Sequence, residues 1–204
     1  MSFASLGQLQ MPRGARPPGG FLGASPPTTT KAFRGPKDTL SLMAKVVLGD
    51  RGEKSQQVRQ FVEFVLRYVQ PKDYLGECLA IRNCFTQPSP FPAAKGAPLF
   101  KYINDPRHVE LVKDPQRLVE EINQFGSALC DCDEYAAMAA TMFLQIGRKV
   151  ELVALGFQPG SLSHVGVRVQ EPKSERWIWV DGVAGPRERE AARTAKELLI
   201  WSLD

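Results

Sequence analysis

The chain has 204 residues, of which 43% are hydrophobic and 24% are charged. Both fractions are near the averages of globular proteins, so the composition excludes a wholly disordered or fibrous chain. No apolar run reaches the roughly 18 residues of a transmembrane helix, and the N-terminus lacks the apolar region of a signal peptide. We therefore expect neither a membrane protein nor secretion by that route. The four cysteines are too few for a disulfide scaffold and favour a reducing compartment.

The positive charge of the chain lies in its first 37 residues. This segment holds five basic residues and no acidic one, whereas the net charge of the whole chain is +4. It also holds six prolines and six glycines, which exclude a packed helix or a central strand. We predict an extended arm over residues 1–37, which is either a disordered tail or a segment that orders against a partner through Phe3, Phe21 and Phe33. The five charges are too sparse to predict nucleic-acid binding.

A single domain is predicted over residues 38–204, and its first part, residues 38–126, is helical. Apolar residues at helical spacing and helix boundary signals predict helices over residues 39–48, 53–69, 74–85 and 116–125. The last of these begins at Asp114-Pro115, an N-cap followed by proline. The proline-rich residues 87–98 are interpreted as an inserted loop, because too little chain precedes them for a separate domain.

Residues 127–185 contain the segments that carry the predicted site. A helix is predicted over residues 132–146, with Asp131 and Asp133 at its positive end, a buried face of small residues and Gly147 as its C-cap. Three strands follow, over residues 149–157, 164–170 and 177–181, and the last two form an antiparallel hairpin. A final helix is predicted over residues 188–201, within a C-terminal part that spans residues 186–204.

The hairpin is predicted to bring a histidine and an aspartate together. His164 opens one strand and Asp181 closes the other. If the turn centres on Pro172-Lys173, the numbers of cross-strand partners sum to 345, and His164 lies directly opposite Asp181. A carboxylate at this position holds the imidazole in one tautomer and favours its charged form.

The hairpin face that carries His164 has four further residues, namely Gly166, Arg168, Trp177 and Trp179. Gly166, beside His164, leaves room for another element to approach this face. The two tryptophans either wall a site beside His164 or belong to the core, and Asp131 and Asp133 are further candidates for the wall.

Cys132 is the candidate nucleophile. It begins the predicted helix, where unpaired N–H groups and the helix dipole stabilise a thiolate. A nearby imidazolium would lower the pKa of the thiol further, and N–H groups of the first turn could form an oxyanion hole. Taken alone, a cysteine in an Ala-rich helix is usually a core residue, and a lone histidine is usually structural. The order Cys132, His164, Asp181 is what favours a catalytic triad.

Three separated blocks of the sequence resemble the transglutaminase-like superfamily of papain-type cysteine enzymes, and most of all its short bacterial and bacteriophage members. The blocks are Cys130-Asp131-Cys132-Asp133-Glu134-Tyr135-Ala136, Ser163-His164-Val165 and Trp179-Val180-Asp181. The resemblance spans residues 58–185. It implies an α+β papain-like fold with the nucleophile helix packed on an antiparallel sheet. It also implies a triad of Cys132, His164 and Asp181 that acts on amide bonds, in a peptidase, amidase, deamidase or acyltransferase.

The chain departs from the usual pattern of this family at four positions. Cys130 replaces a glycine, Glu134 replaces an aspartate, and glycine stands at positions 166 and 182, where larger residues are common. Because residues i and i+2 do not share a helix face, only one of the two neighbouring cysteines can point at His164. The resemblance selects Cys132, which leaves Cys130 as a structural thiol or a redox partner. A zinc site that uses both cysteines with His164 is the other interpretation, although the usual Cys-x2-Cys spacing is absent.

Two hypotheses for the function follow. The first is a phage-encoded cysteine hydrolase or acyltransferase that acts on a peptide or protein substrate, in the host cytoplasm or in the virion, and needs no metal or organic cofactor. The second is a structural or interaction protein of a phage particle that retains the fold and binds neighbouring virion subunits through its arm.

Overall fold

The structure is a computed structural model that describes residues 29–31, 35–87, 98–105, 110–183 and 193–203. Within these residues the fold is mixed α+β. The helices are α1 (Pro36–Val47), α2 (Gln56–Leu66), α3 (Tyr74–Thr86), α4 (Pro115–Phe125) and α5 (Cys132–Gln145). The strands are β1 (Thr29–Lys31), β2 (Phe100–Tyr102), β3 (Glu110–Val112), β4 (Ala128–Cys130), β5 (Val150–Gly156), β6 (His164–Gln170), β7 (Trp177–Val180) and β8 (Glu197–Ser202). None of these helices is long and apolar enough to cross a membrane.

Helix α5 lies at the centre of the described part of the chain. Every residue from Asp133 to Phe143 is buried, so the helix has no stripe that faces solvent. It contacts α1, α2, α3 and α4, and it also packs on β5 and β6. These two strands belong to a four-stranded antiparallel sheet with the order β7-β6-β5-β8. The predicted packing of this helix on an antiparallel sheet is therefore found.

The four helices predicted before residue 126 are all present. Helix α4 begins as expected, with Pro115 in its first turn and the Asp114 carboxylate accepting the N–H of Arg117 at 2.9 Å. Helix α2 ends at Leu66, three residues before its predicted end at residue 69. Of the predicted loop over residues 87–98, residues 88–97 lie outside the described part.

Part of the predicted arm belongs to the domain. Thr29–Lys31 forms β1, which pairs antiparallel with β3, and α1 starts at Pro36, three residues before the start predicted at residue 39. Composition excludes a central strand here, but it does not exclude a short strand in a two-stranded sheet. The three phenylalanines proposed as anchors of the arm lie outside the described residues.

The prediction of a C-terminal helix over residues 188–201 is wrong for its last part. Those residues belong to β8, which pairs antiparallel with β5. Leu199 and Trp201 pack against the core, whereas Leu198 and Ile200 are exposed, so burial alternates as it does in a strand. A run of four apolar residues fits a buried helix or a strand equally well. Pairing with the edge of β5 decides between them. Residues 184–192 lie outside the described part.

The hairpin formed by β6 and β7 has a different register from the predicted one. Arg168 pairs with Trp179, so the numbers of cross-strand partners sum to 347 rather than 345. The turn occupies four residues, because the Glu171 carboxylate accepts the N–H groups of Lys173 and Ser174 at 3.1 and 2.7 Å. A shift of two residues leaves every side chain on its predicted face.

Glycine at position 166 lets an indole ring pack flat on the sheet. A Cβ atom at Gly166 would lie 2.5 Å from Cζ2 and 2.6 Å from Cη2 of Trp179. The space at Gly166 is taken by the ring of Trp179, which belongs to the same hairpin.

We expect Gly166→Ala to lower the free energy of unfolding by about 1–3 kcal/mol, because the indole must move to admit the methyl group. Urea unfolding followed by circular dichroism measures this loss. The same substitution should cost less in a Trp179→Phe background, which lacks both crowded ring atoms. Equal losses in the two backgrounds would contradict this explanation.

Candidate active site

A cleft of about 250 Å³ lies where the first turn of α5 meets the start of β6. Cys132 and His164 both line it. The other lining residues are Pro36, Thr39, Leu40, Asp131, Asp133, Ala154, Leu162, Ser163 and Val165. The fold therefore brings the candidate nucleophile and the candidate base to the same cleft.

The position of Cys132 follows from the way in which α5 begins. Asp131 Oδ1 accepts the N–H of Asp133 at 3.0 Å, and Glu134 Oε2 accepts the N–H of Asp131 at 2.8 Å. This reciprocal capping box fixes the first turn of the helix. The sulfur of Cys132 then lies at the start of β6, where it interacts with the backbone N–H of Val165.

The environment of Cys132 raises the pKa of its thiol above the ordinary value. Burial is the largest cause, and the carboxylates of Asp133 and Asp131 follow. The thiol also donates a hydrogen bond to Asp133 Oδ1 at 3.5 Å, which holds the proton on sulfur. The Val165 N–H acts in the opposite sense. The sequence-based expectation was a lowered pKa, but burial and two adjacent carboxylates outweigh the helix dipole.

His164 and Asp181 form the predicted pair. His164 Nε2 lies 2.7 Å from Asp181 Oδ2, and the two side chains are only 12% and 7% exposed. Because a carboxylate accepts hydrogen bonds and cannot donate them, Nε2 carries the proton. The N–H of Val183 donates to Asp181 Oδ1 at 3.0 Å and orients the carboxylate. The contact is formed although Asp181 lies just beyond the end of β7 and not in a ladder pair with His164.

The absence of a side chain at Gly182, directly after Asp181, has a steric explanation. A Cβ atom at Gly182 would lie 2.3 Å from Cδ1 of Tyr135, a residue of α5. The chain that leaves Asp181 therefore runs against α5. This close approach accounts for one of the four departures from the pattern of the family that the sequence resembles.

The two tryptophans proposed as site walls lie elsewhere. They share a sheet face with Gly166, whereas the valines that alternate with it along β6 pack with α5 in the main core. Trp179 packs with Val153 and Leu155 in a second small cluster. Trp177 is 39% exposed and lies beneath the guanidinium of Arg168. Among the described residues, the lining of the cleft includes neither tryptophan.

Cys130 lies apart from the cleft, fully buried at the end of β4. Burial raises the pKa of its thiol, which is hydrogen-bonded with Tyr135. This location fits a structural thiol. In the described part of the chain, one group of side chains is close enough together to share a cation. It consists of Asp131, Cys132 and Asp133, whose ligand atoms lie within 4.8 Å of one another. That set includes neither Cys130 nor the histidine of the zinc interpretation.

Two contributions to the site were missed from the sequence. One wall of the cleft comes from the start of α1, through Pro36, Thr39 and Leu40, and no local pattern indicates this long-range packing. The other is Glu134, which was noted only as a replacement for aspartate. Its position three residues after Asp131 is the spacing of a capping box and could have revealed it.

Glu134 is a buried acid with a raised pKa. Glu134 is only 2% exposed. Burial is the largest cause that raises the pKa of its carboxyl group from 4.5 to about 8, and the charge of Asp131 is the next. The N–H groups of Asp131 and Lys113 and the charge of Lys113 act in the opposite sense.

We expect Asp133→Asn to accelerate alkylation of Cys132 by iodoacetamide at neutral pH, because a negative charge beside the sulfur is removed. Each unit by which the pKa of the thiol falls gives about tenfold more thiolate. Mass-spectrometric mapping of the modified cysteine measures the rate. Cys78 in α3 is the internal control, and its rate should not change. An unchanged or slower rate at Cys132 would refute the role assigned to Asp133.

Glu134 should make the stability of the chain depend on pH. Between pH 4.5 and about 8 the unfolded chain loses this proton while the folded chain retains it, so stability falls as pH rises through this window. In Glu134→Gln the group does not titrate. The free energy of unfolding of the wild type should therefore decline relative to that of the variant over the same window. Urea titrations at several pH values measure this difference, and parallel curves would show that Glu134 has an ordinary pKa.

No family model matches the chain, and neither does any curated protein or solved structure.

Proposed function

We propose that the chain is a cysteine hydrolase or acyltransferase of the papain- and transglutaminase-like type that acts on amide bonds. Cys132 is the nucleophile, His164 is the general base and acid, and Asp181 orients His164. One observation carries the proposal: a histidine paired with a buried aspartate at 2.7 Å lines the same cleft as a cysteine at the start of a helix.

The orientation of the imidazole suits this division of roles. Nε2 is engaged by Asp181, and we assign the proton exchange with Cys132 to Nδ1. A base that is itself held by a third group is the arrangement common to triads on unrelated folds. The opposite assignment, with Asp181 as the base toward substrate, conflicts with its burial and with its two hydrogen bonds.

The raised pKa of the thiol determines the order of proton transfers. Cys132 rests as a neutral thiol, so its proton passes from sulfur to His164 Nδ1 as the sulfur attacks the carbonyl carbon. His164 then gives this proton to the departing amine nitrogen, the C–N bond breaks, and a thioester remains on Cys132. Water or a second amine, deprotonated by His164, attacks the thioester and releases the product and the thiol.

The first turn of α5 limits the choice of oxyanion donors. The N–H of Asp133 already donates to Asp131, so it is committed to the helix cap. The backbone N–H of Cys132, at the start of the helix, is the donor that we assign to the developing oxyanion. The positive end of a buried helix strengthens this donor.

The surroundings of the cleft favour a peptide chain over a small amide. A second groove of about 540 Å³ adjoins it, and Pro36 and Leu162 line both. The second groove continues between the start of α1 and β8, past Lys37 and Leu198. Together the two provide room for residues on one side of the scissile bond, as a peptide or protein substrate requires.

The alternative hypothesis, a structural protein of a phage particle, rests on the basic arm. Three residues of that arm, Thr29–Lys31, pair with β3 of the same chain. This segment is therefore accounted for without a neighbouring subunit. An intact triad without turnover is the outcome that would favour the structural hypothesis.

Loss of any member of the triad should remove most of the amide turnover that the wild-type chain shows. We expect Cys132→Ser, His164→Ala and Asp181→Asn each to lower kcat/KM by at least about 10³-fold, and the double variant His164→Ala/Asp181→Asn to lose little more than His164→Ala alone. Release of a fluorescent group from a library of acylated peptide amides measures turnover. Intact mass spectrometry detects the acyl group that accumulates on the enzyme.

Cys130→Ser is the matched control for these variants, since that cysteine lies outside the cleft, and it should retain turnover. A wild-type chain that cleaves no member of the library and forms no adduct with activated esters at Cys132 would refute the proposal. Activity that survives Cys132→Ser but is lost in Cys130→Ser would reverse the assignment of the nucleophile.

A further inference from the structure

We propose that Glu134 is a positioning residue for Cys132, because it fixes the first turn of α5 to the end of β3. The inference rests on the proposed function, in which the sulfur of Cys132 must reach both His164 and the substrate carbonyl.

Glu134 uses its two carboxylate oxygens on two different elements. Oε2 accepts the N–H of Asp131 at 2.8 Å, as in any capping box. Oε1 accepts the N–H of Lys113, the residue that follows β3, at 3.2 Å. A helix cap alone needs only the first of these bonds. The second bond joins the start of the nucleophile helix to a segment distant in sequence.

Lys113 is a firm attachment point for this bond. Its ammonium donates to the carbonyl oxygen of Leu129, at β4, and pairs with Glu121 of α4 at 3.5 Å. The backbone and the side chain of Lys113 therefore bind three elements around the start of α5. The charged groups that face Glu134 are Asp131 and Lys113, and the thiol of Cys130 also lies close enough to feel its charge.

No other side chain replaces the carboxyl group at this position. Both partners of Glu134 are N–H donors, and each lies against a different oxygen. Both oxygens of a carboxyl group keep lone pairs that can accept, whether the group is ionised or protonated. Glutamine offers one acceptor and turns an NH₂ group toward the other N–H, and alanine offers none. Buried N–H groups without partners are costly, so the turn must shift until Asp131 and Lys113 reach other acceptors. Such a shift moves Cys132, which lies between Asp131 and Asp133, away from the Val165 N–H.

The test compares Glu134→Gln and Glu134→Ala with Ser55→Ala. Ser55 is a buried N-cap of α2, remote from the cleft, so its loss destabilises the chain through a helix cap but leaves the site alone. We expect kcat per folded molecule to fall about tenfold in Glu134→Gln and about 10²-fold in Glu134→Ala, with KM nearly unchanged, since displacement of a nucleophile acts on the chemical step. Ser55→Ala should keep the wild-type kcat.

Hydrogen–deuterium exchange supplies a readout that does not need turnover. Amides of residues 111–113 and 129–133 should exchange faster in both Glu134 variants and at the wild-type rate in Ser55→Ala. Unchanged exchange at these amides, or a kcat in Glu134→Ala equal to that of Ser55→Ala, would overturn the inference. A wild type without turnover would refute the proposed function, whereas the exchange data would still decide whether Glu134 holds the helix to β3.

Discussion

Helix α5 is buried on all sides along most of its length, and the position of the candidate site follows from that burial. A helix buried along its length can leave to the cleft only the N–H that the proposed function assigns to substrate, and any other unpaired N–H of its first turn costs about 1–3 kcal/mol. The N–H groups of Asp131 and Asp133 are therefore satisfied from within, by the carboxylates of Glu134 and Asp131, and Asp131, Asp133 and Glu134, all 9% exposed or less, form that network. Cys132 stands in the middle of it. The requirement that stabilises the core thus also holds the candidate nucleophile in place.

The same network gives the site its chemical character. Carboxylates beside a sulfur atom keep it protonated, in contrast to the preformed ion pair that the helix dipole alone would favour. A neutral thiol is a poor target for oxidants and for stray electrophiles, because the thiolate is the reactive form. In the proposed mechanism, Cys132 attacks only when a substrate and His164 are both in place. The thiol then stays unreactive without substrate, which favours selectivity.

Local signals were enough to predict the parts of the site that lie within single elements. The start of α5 at Cys132, the strand that opens with His164 and the nearness of Asp181 all follow from caps, periodicity and a short hairpin. The register of that hairpin was wrong by two, because the hydrogen bonds of Glu171 to the turn cannot be read from strand patterns. The strand β8 and the wall formed by α1 depend on long-range pairing and packing. The sign of the pKa shift at Cys132 depends on burial, which outweighs a helix dipole that the sequence does reveal.

The pairing of β1 with β3 has a practical consequence for anyone who expresses this protein. Composition alone recommends trimming the chain at Asp38, but that cut removes β1 and Pro36, a lining residue of the cleft. It also removes the strand partner of β3, to whose end Glu134 is bound. Only three residues separate Lys31 from Gly35, and each can span at most about 3.5 Å, so β1 cannot lie far from the start of α1. A recombinant form should therefore begin upstream of Thr29, and an affinity tag is better placed at the C-terminus, where it adds no bulk beside the cleft entrance.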